Sequence, residues 1–233
     1  MPTFALVTEG LTDQIIIENI LFGFFNDPDI DINPLQPLRD ETDRNRAASP
    51  GNWHKVLEYC SSENFRGAFQ FNDYVVVQID TDVAADYGVS DRDEEGNELS
   101  VEEMIARVRA VLIARIGQEF YDRYTGRILF AISVHSIECW LLPLYFSDKK
   151  KSKTINCLNT LNQALKSKES FSIDPSNKKP QYYEGVSNEY TKHKRLMALY
   201  SSNPSLEVFV HELQNITVVP DADDFPNPPP PIE

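Results

Sequence analysis

The sequence predicts an α/β fold, a mostly parallel sheet flanked by helices and followed by a helical C-terminal extension, and three observations carry it. Apolar runs of strand length, "TFALVT", "DYVVVQID" and "RILFAISVH", recur with amphipathic helical patterns between them, the alternation expected of βαβ units. "DYVVVQID" is apolar without alternation, as befits a central strand buried on both faces. Beyond residue 153 the pattern is helical and no further strand is convincing.

Residues 3–8 read as the first strand and 12–25 as the first helix, with Thr12 as N-cap ahead of Ile15, Ile16, Asn19, Ile20 and Phe24. The stretch 27–51, rich in Pro, Asp and Arg, holds at most a short strand at 30–36. A second amphipathic helix is expected over 52–63, capped by Asn52, with Trp53, Val56, Leu57 and Cys60 on one face. After the central strand at 73–80 comes an acidic segment, then a helix from Val101 to about Phe120. Ser100 with Glu103 three residues on is a capping box, and Met104, Ile105, Val108, Leu112 and Ile116 keep helical spacing. The strand at 127–135 leads into "SIECWLLPLYF", a short helix expected to stop near Pro143. The chain thus divides into an α/β core at 1–147, a basic helical extension at 148–218 and a Pro-rich tail at 219–233, expected to be extended or disordered.

Size and composition, 233 residues with 41% hydrophobic and 25% charged, are those of an ordinary globular protein. No apolar run approaches the roughly 18 residues a membrane helix needs, and no basic leader precedes "MPTFALV", so a cytoplasmic protein without membrane contact is expected. Cys60, Cys139 and Cys157 have neither C-x-x-C spacing nor paired histidines nearby, and are expected to be buried free thiols. The net charge is −14, but residues 148–195 carry 11 Lys+Arg against 5 Asp+Glu, a balance of +6 that leaves −20 for the rest. An acidic chain repels nucleic acid overall, so a nucleic-acid partner needs that basic segment or bound divalent cations. The run "KKKSK" at 149–153 reads either as part of such a face or as a solvated loop.

Open α/β sheets build their sites outside the carboxyl ends of the strands. Glu9 follows the first strand, Asp80 and Asp82 end the central one, and His135, Ser136 and Glu138 follow the third. Each has a bland reading: Glu9 as a helix-capping acid, Asp80 and Asp82 as turn formers, His135 as a loop histidine, Glu138 as a helix residue. Acids at three successive strand ends are hard to credit to coincidence. Carboxylates so gathered repel unless a cation neutralises them, and Mg2+ (or Mn2+), a hard ion taking oxygen ligands, suits them.

"LVTEGLTD" followed by "VVVQIDTD" resembles the TOPRIM domain, whose pattern is a Glu-Gly turn after the first strand and an Asp-x-Asp after a later one. Asp13 and "HSIECW" extend the similarity to the small OLD-like and RloB-like bacterial TOPRIM proteins over residues 3–146. The resemblance implies a Mg2+-dependent nuclease that hydrolyses phosphodiesters in DNA or RNA. Glu9 would be the general acid/base or lie close to the metal, Asp80 and Asp82 would be metal ligands, and Asp13 and Glu138 would complete a second metal position. A lysine often assists such chemistry, and Lys179, Lys192 and Lys194 are candidates from the basic segment. The family setting further implies an antiviral-defence effector with an ATPase partner, and is compatible with a homo-oligomer. Topoisomerase and primase activities lack the additional domains they require. The rival expectation is a non-catalytic TOPRIM-like module that binds a nucleotide or a protein.

Overall fold

The computed structural model describes residues 2–39 and 52–216. Four strands, β1 (Phe4–Val7), β2 (Ile32–Gln36), β3 (Tyr74–Asp80) and β4 (Ile128–Ser133), form one sheet in the order β2-β1-β3-β4, with every pair parallel. Helix α1 (Leu11–Phe25) carries the chain from β1 outward to β2. The chain then returns on the other side of β1 through α2 (Trp53–Cys60) and α3 (Glu63–Gly67) to β3, and continues through α4 (Val101–Ile116) and α5 (Gln118–Tyr124) to β4. The direction of winding reverses between β1 and β3, and this opens a crevice at their carboxyl ends.

Alternation along the strands supplies two cores. Phe4, Leu6, Tyr74, Val76, Leu129 and Ala131 face α1, whereas Ala5, Val7, Val75, Val77, Ile79 and Phe130 face α2 to α5. Burial on both faces is why β3 reads as an unbroken apolar run. The parity also decides chemistry, because Gln78 and Asp80 follow Tyr74 and Val76 to the α1 side.

On that side lie α6 (Glu138–Tyr145), α7 (Cys157–Lys168), α8 (Pro180–Ser187), α9 (His193–Leu199) and α10 (Pro204–Gln214). Their apolar residues join those of the sheet and α1 in a single cluster. The basic extension, as far as it is described, is therefore one wall of the core; the tail at 219–233 lies outside the described residues. Helix α1 is enclosed between the sheet and α8 and α9, and a Cβ added at Gly23 would stand 1.8 Å from the Tyr190 carbonyl oxygen. At the free edge of β4, Glu212 of α10 accepts the Phe130 N–H at 2.7 Å and pairs with Arg109 of α4. A helix thereby occupies an edge that would otherwise invite strand pairing.

Several sequence expectations are corrected in detail. Gly10, not Thr12, is the N-cap of α1, and Thr12 is buried in the first turn. Asn52 occupies the N-cap of α2 without a side-chain cap, and the helix expected over 52–63 is two helices, the second capped by Ser62. The long helix after Ser100 breaks at Gly117, whose φ of 92° suits glycine, although the capping box forms as expected. Helix α6 runs through Pro143 instead of stopping there. Proline removes the donor to the Cys139 carbonyl four residues back, and the Asn203 side chain supplies one at 3.3 Å. Cys139 and Cys157 form a disulfide between the starts of α6 and α7, so only Cys60 of the three is a free thiol. Among the described residues no helix is long and apolar enough to cross a membrane.

Candidate metal centre

The first turn of the site is set by Thr8, whose hydroxyl donates to the Gly10 carbonyl at 2.9 Å and whose N–H donates to Gln36 at 2.8 Å. This bends the chain so that Glu9 leaves β1 toward β3. The Glu9 N–H donates to Gln78 Oε1 at 3.1 Å, Gln78 Nε2 donates to Asp80 Oδ1 at 2.9 Å, and the Asp80 N–H donates to Glu9 Oε1 at 2.7 Å. Glu9 and Asp80, 71 residues apart in sequence, are thus bound through one fully buried glutamine.

Two further elements close on Asp80. The Ile137 N–H, just ahead of α6, donates to Asp80 Oδ1 at 3.1 Å, and the Tyr87 hydroxyl donates to the Asp80 carbonyl at 2.9 Å. Beyond β3, Thr81 and Asp82 both donate their N–H to the His135 carbonyl at 3.0 Å, while the His135 N–H donates to the Thr81 hydroxyl at 2.8 Å. That exchange ties the β3 and β4 ends together with His135 at φ 65°. Asp82 itself is exposed.

Asp13 sits in the first turn of α1, 8% exposed, with its carboxyl turned back on the N–H groups of Gly10 and of Asp13 itself. A Cβ at residue 10 would stand 3.1 Å from Asp13 Oδ2, so the glycine admits the acid. Glu138 opens α6, 1% exposed. Its Oε1 accepts from Lys178 Nζ and from the Tyr183 hydroxyl, each at 2.7 Å. Its Oε2 is buried without a well-formed hydrogen bond, although the Ser136 side chain helps to hold the acid ionised.

Electrostatics separate the five acids. Burial, then the Asp13 charge, pushes Glu9 up to about 8 against the Asp80 N–H. Burial pushes Asp13 up to about 7, although Lys178 opposes it. Asp80 is driven well above the carboxylate range by burial and by Glu9, Asp13 and Glu138. Asp82 is raised as well, by desolvation on its crevice side, with Lys178 and His135 opposing. Glu138 is the exception: burial would raise it, but Lys178, Tyr183 and Ser136 together hold it low. Reciprocally, Glu138, Asp80 and Asp13 raise Lys178 despite its burial. Carboxyls that keep protons near neutrality are ones whose burial, and then mutual repulsion, is incompletely compensated.

The crevice therefore brings together Glu9, Asp13, Asp80, Asp82 and Glu138, with His135 close enough to act on Asp82. The proposed lysines lie elsewhere. Lys179 is exposed at the N-cap of α8, and Lys192 is exposed and paired with Glu189. The lysine that reaches the acids is Lys178, one residue before Lys179. Sequence reasoning also missed Gln78, Tyr87 and Tyr183; of these only Gln78, a lone polar residue inside "VVVQID", carried a visible signal.

The donor chemistry, carboxylates gathered at one crevice with Glu9, Asp13 and Asp80 raised by burial and by one another, fits a hard cation. Among the described residues, however, no three His, Cys, Asp or Glu side chains stand arranged as a ligand set. Closing on an ion requires carboxylate rotation away from internal hydrogen bonds such as that between Glu9 and the Asp80 N–H.

No protein-family model matches the chain, and no curated protein or solved structure matches it.

Proposed function

We propose that the chain is a divalent-metal-dependent phosphodiester hydrolase acting on nucleic acid. The observation that carries this reading is the convergence of Glu9, Asp13, Asp80, Asp82 and Glu138 at the β1/β3 crevice, with Lys178 as the cation paired to one of them. Asp80, Asp82 and Glu9 would hold Mg2+ or Mn2+. A hard cation there supplies Lewis acidity and neutralises charge at a phosphate. Gln78 orients Asp80, and Thr81 with His135 fixes the turn that presents Asp82. As a ligand Glu9 would give up the proton that burial and the Asp13 charge favour in the metal-free protein, so ion binding there would release protons.

Half of the 22 basic residues lie in 148–195, which supports a polyanionic substrate despite the net charge of −14. By resemblance the setting is an antiviral-defence effector in the cytoplasm with an ATPase partner. The Cys139–Cys157 disulfide weighs against a reducing compartment.

In a cleavage assay on labelled DNA and RNA with Mg2+ or Mn2+, Asp80→Asn and Glu9→Gln are expected to lose at least about 100-fold in rate with unchanged circular dichroism. Cleavage at the wild-type rate by both variants contradicts the reading. Joint replacement of Lys149, Lys150 and Lys151 by Gln, in an Asp80→Asn background, should weaken binding and reduce the salt slope by about one for each phosphate no longer neutralised. Identical slopes remove that run from the interface.

The internal closure of the cluster and the lack of a ready ligand set favour a second reading, a non-catalytic binding module. It predicts no cleavage by the wild type under any divalent ion.

A further inference from the structure

The proposed centre already holds one cation of its own. Lys178 Nζ lies 2.7 Å from Glu138 Oε1, and the Tyr183 hydroxyl donates to the same oxygen at 2.7 Å. Two donors on one oxygen take up its accepting capacity. Glu138 is 1% exposed and Tyr183 fully buried, whereas the Lys178 side chain is 29% exposed, so the lysine reaches an interior acid from the crevice side.

The segment that delivers Lys178 is also built for it. Asn162 of α7 binds both backbone groups of Ile173, donating to its carbonyl and accepting its N–H, each at 2.8 Å. Asp174 Oδ1 then accepts from the Ser176 N–H at 2.8 Å and from its hydroxyl at 2.7 Å, and Asp174 bridges to Asn177. Lys178 therefore enters the crevice from a stiffened turn anchored on a helix, not from a free surface loop.

Resting on the metal-dependent reading above, the geometry points to a single-ion centre in which the Lys178 ammonium takes the place of a second divalent ion. Glu138 is withdrawn from the ligand set, and Glu9, Asp80 and Asp82 hold one Mg2+ or Mn2+. A second ion beside Glu138 would find Oε1 occupied by two donors, one of them positively charged, and would have to drive that charge out. What remains there is Glu138 Oε2 and Asp13, a buried acid in the first turn of α1. Two such carboxyls fall short of what a hard ion that demands near-octahedral oxygen coordination requires. The five acids meet one divalent charge and one ammonium, and the fixed lysine cannot dissociate as a second ion can.

The test is the number of Mn2+ ions bound per folded chain at pH 8, from equilibrium dialysis with metal analysis, together with the electron paramagnetic resonance spectrum. Wild type is expected to bind one ion with the spectrum of an isolated Mn2+. Lys178→Met, confirmed folded by circular dichroism, is expected to admit a second ion and to lose signal through coupling of the pair. Glu138→Gln should bind its one ion within about threefold of the wild-type affinity, whereas Asp80→Asn should weaken binding by roughly 30-fold or more. Two coupled ions in wild type overturn the single-ion inference and leave the metal-dependent reading standing; no bound ion overturns both. A folded Lys178→Met that still binds one ion, or a Glu138→Gln that loses its ion, overturns the role given to Lys178. Should Lys178→Met fail to fold, Lys178→Arg, which keeps the charge, must bind one ion, and two ions there overturn the inference.

Discussion

Gly23→Ala is expected to destabilise the protein by about 3 kcal/mol or more, at or beyond the upper end of overpacking effects. Alanine is intrinsically the better helix former by about 1 kcal/mol, so propensity argues for the opposite sign. Geometry decides, because the new Cβ would stand 1.8 Å from the Tyr190 carbonyl oxygen, a backbone atom that no rotamer change can move. Helix α1 would have to retreat from the 3-10 turn at Asn188–Thr191, and Tyr190, fully buried with its hydroxyl on the Trp140 carbonyl, would be dragged with it. At about 2–4 °C per kcal/mol for a chain of this size, the thermal midpoint should fall by roughly 6–12 °C. Gly185→Ala in α8 is the control: nothing lies within 4 Å of the added Cβ, so propensity should win and the midpoint hold or rise. A Gly23→Ala midpoint equal to wild type would mean that α1 is not packed against that turn.

The second large effect is on the pH dependence of stability without metal. Glu9 moves from an ordinary 4.5 to about 8 on folding, and Asp13 from 3.8 to about 7, both first because they are buried. Between those values the folded chain binds more protons than the unfolded one, so stability falls as pH rises. Glu138, held low, acts in the opposite sense and loses stability only as pH drops through the acid range. Metal-free protein should therefore be most stable near pH 5 and lose on the order of 6 kcal/mol by pH 8 through these two acids, a fall of roughly 12–24 °C in midpoint. Glu9→Gln, which cannot ionise, should flatten much of that slope. Saturating Mg2+ at pH 8 should restore much of the loss for wild type, since binding to the folded state adds stability by mass action. A metal-free midpoint that rises steadily from pH 5 to pH 8 would show that the acids are compensated by the protein alone.

What was legible in the sequence was what local patterning controls. The unbroken apolar run of β3, the Ser100–Glu103 capping box and the acids at three strand ends all depend on neighbours in sequence, and each is found where expected. Features that depend on distant partners were not legible. Pro143 reads as a helix stop, and only the Asn203 side chain, brought in from the start of α10, lets α6 continue through it. Nothing in the spacing of Cys139 and Cys157 announces a disulfide; it needs the starts of α6 and α7 to meet. Lys178 and Lys179 are indistinguishable in sequence, yet the turn anchored by Asn162 and Asp174 sends one into the crevice and leaves the other exposed. Thr12 has the chemistry of a cap, but the Thr8 hydroxyl fixes the turn one step earlier and makes Gly10 the boundary.

Whether the β1/β3 crevice holds a divalent metal is decided by a crystal structure of wild type grown with saturating Mn2+ at pH 8, with anomalous data collected for manganese. An anomalous peak is expected, coordinated by Asp80 and Asp82, with Glu9 turned off the Asp80 N–H and Lys178 still on Glu138. A crevice without anomalous density, its Glu9 still bound to the Asp80 N–H, would contradict the metal-dependent reading.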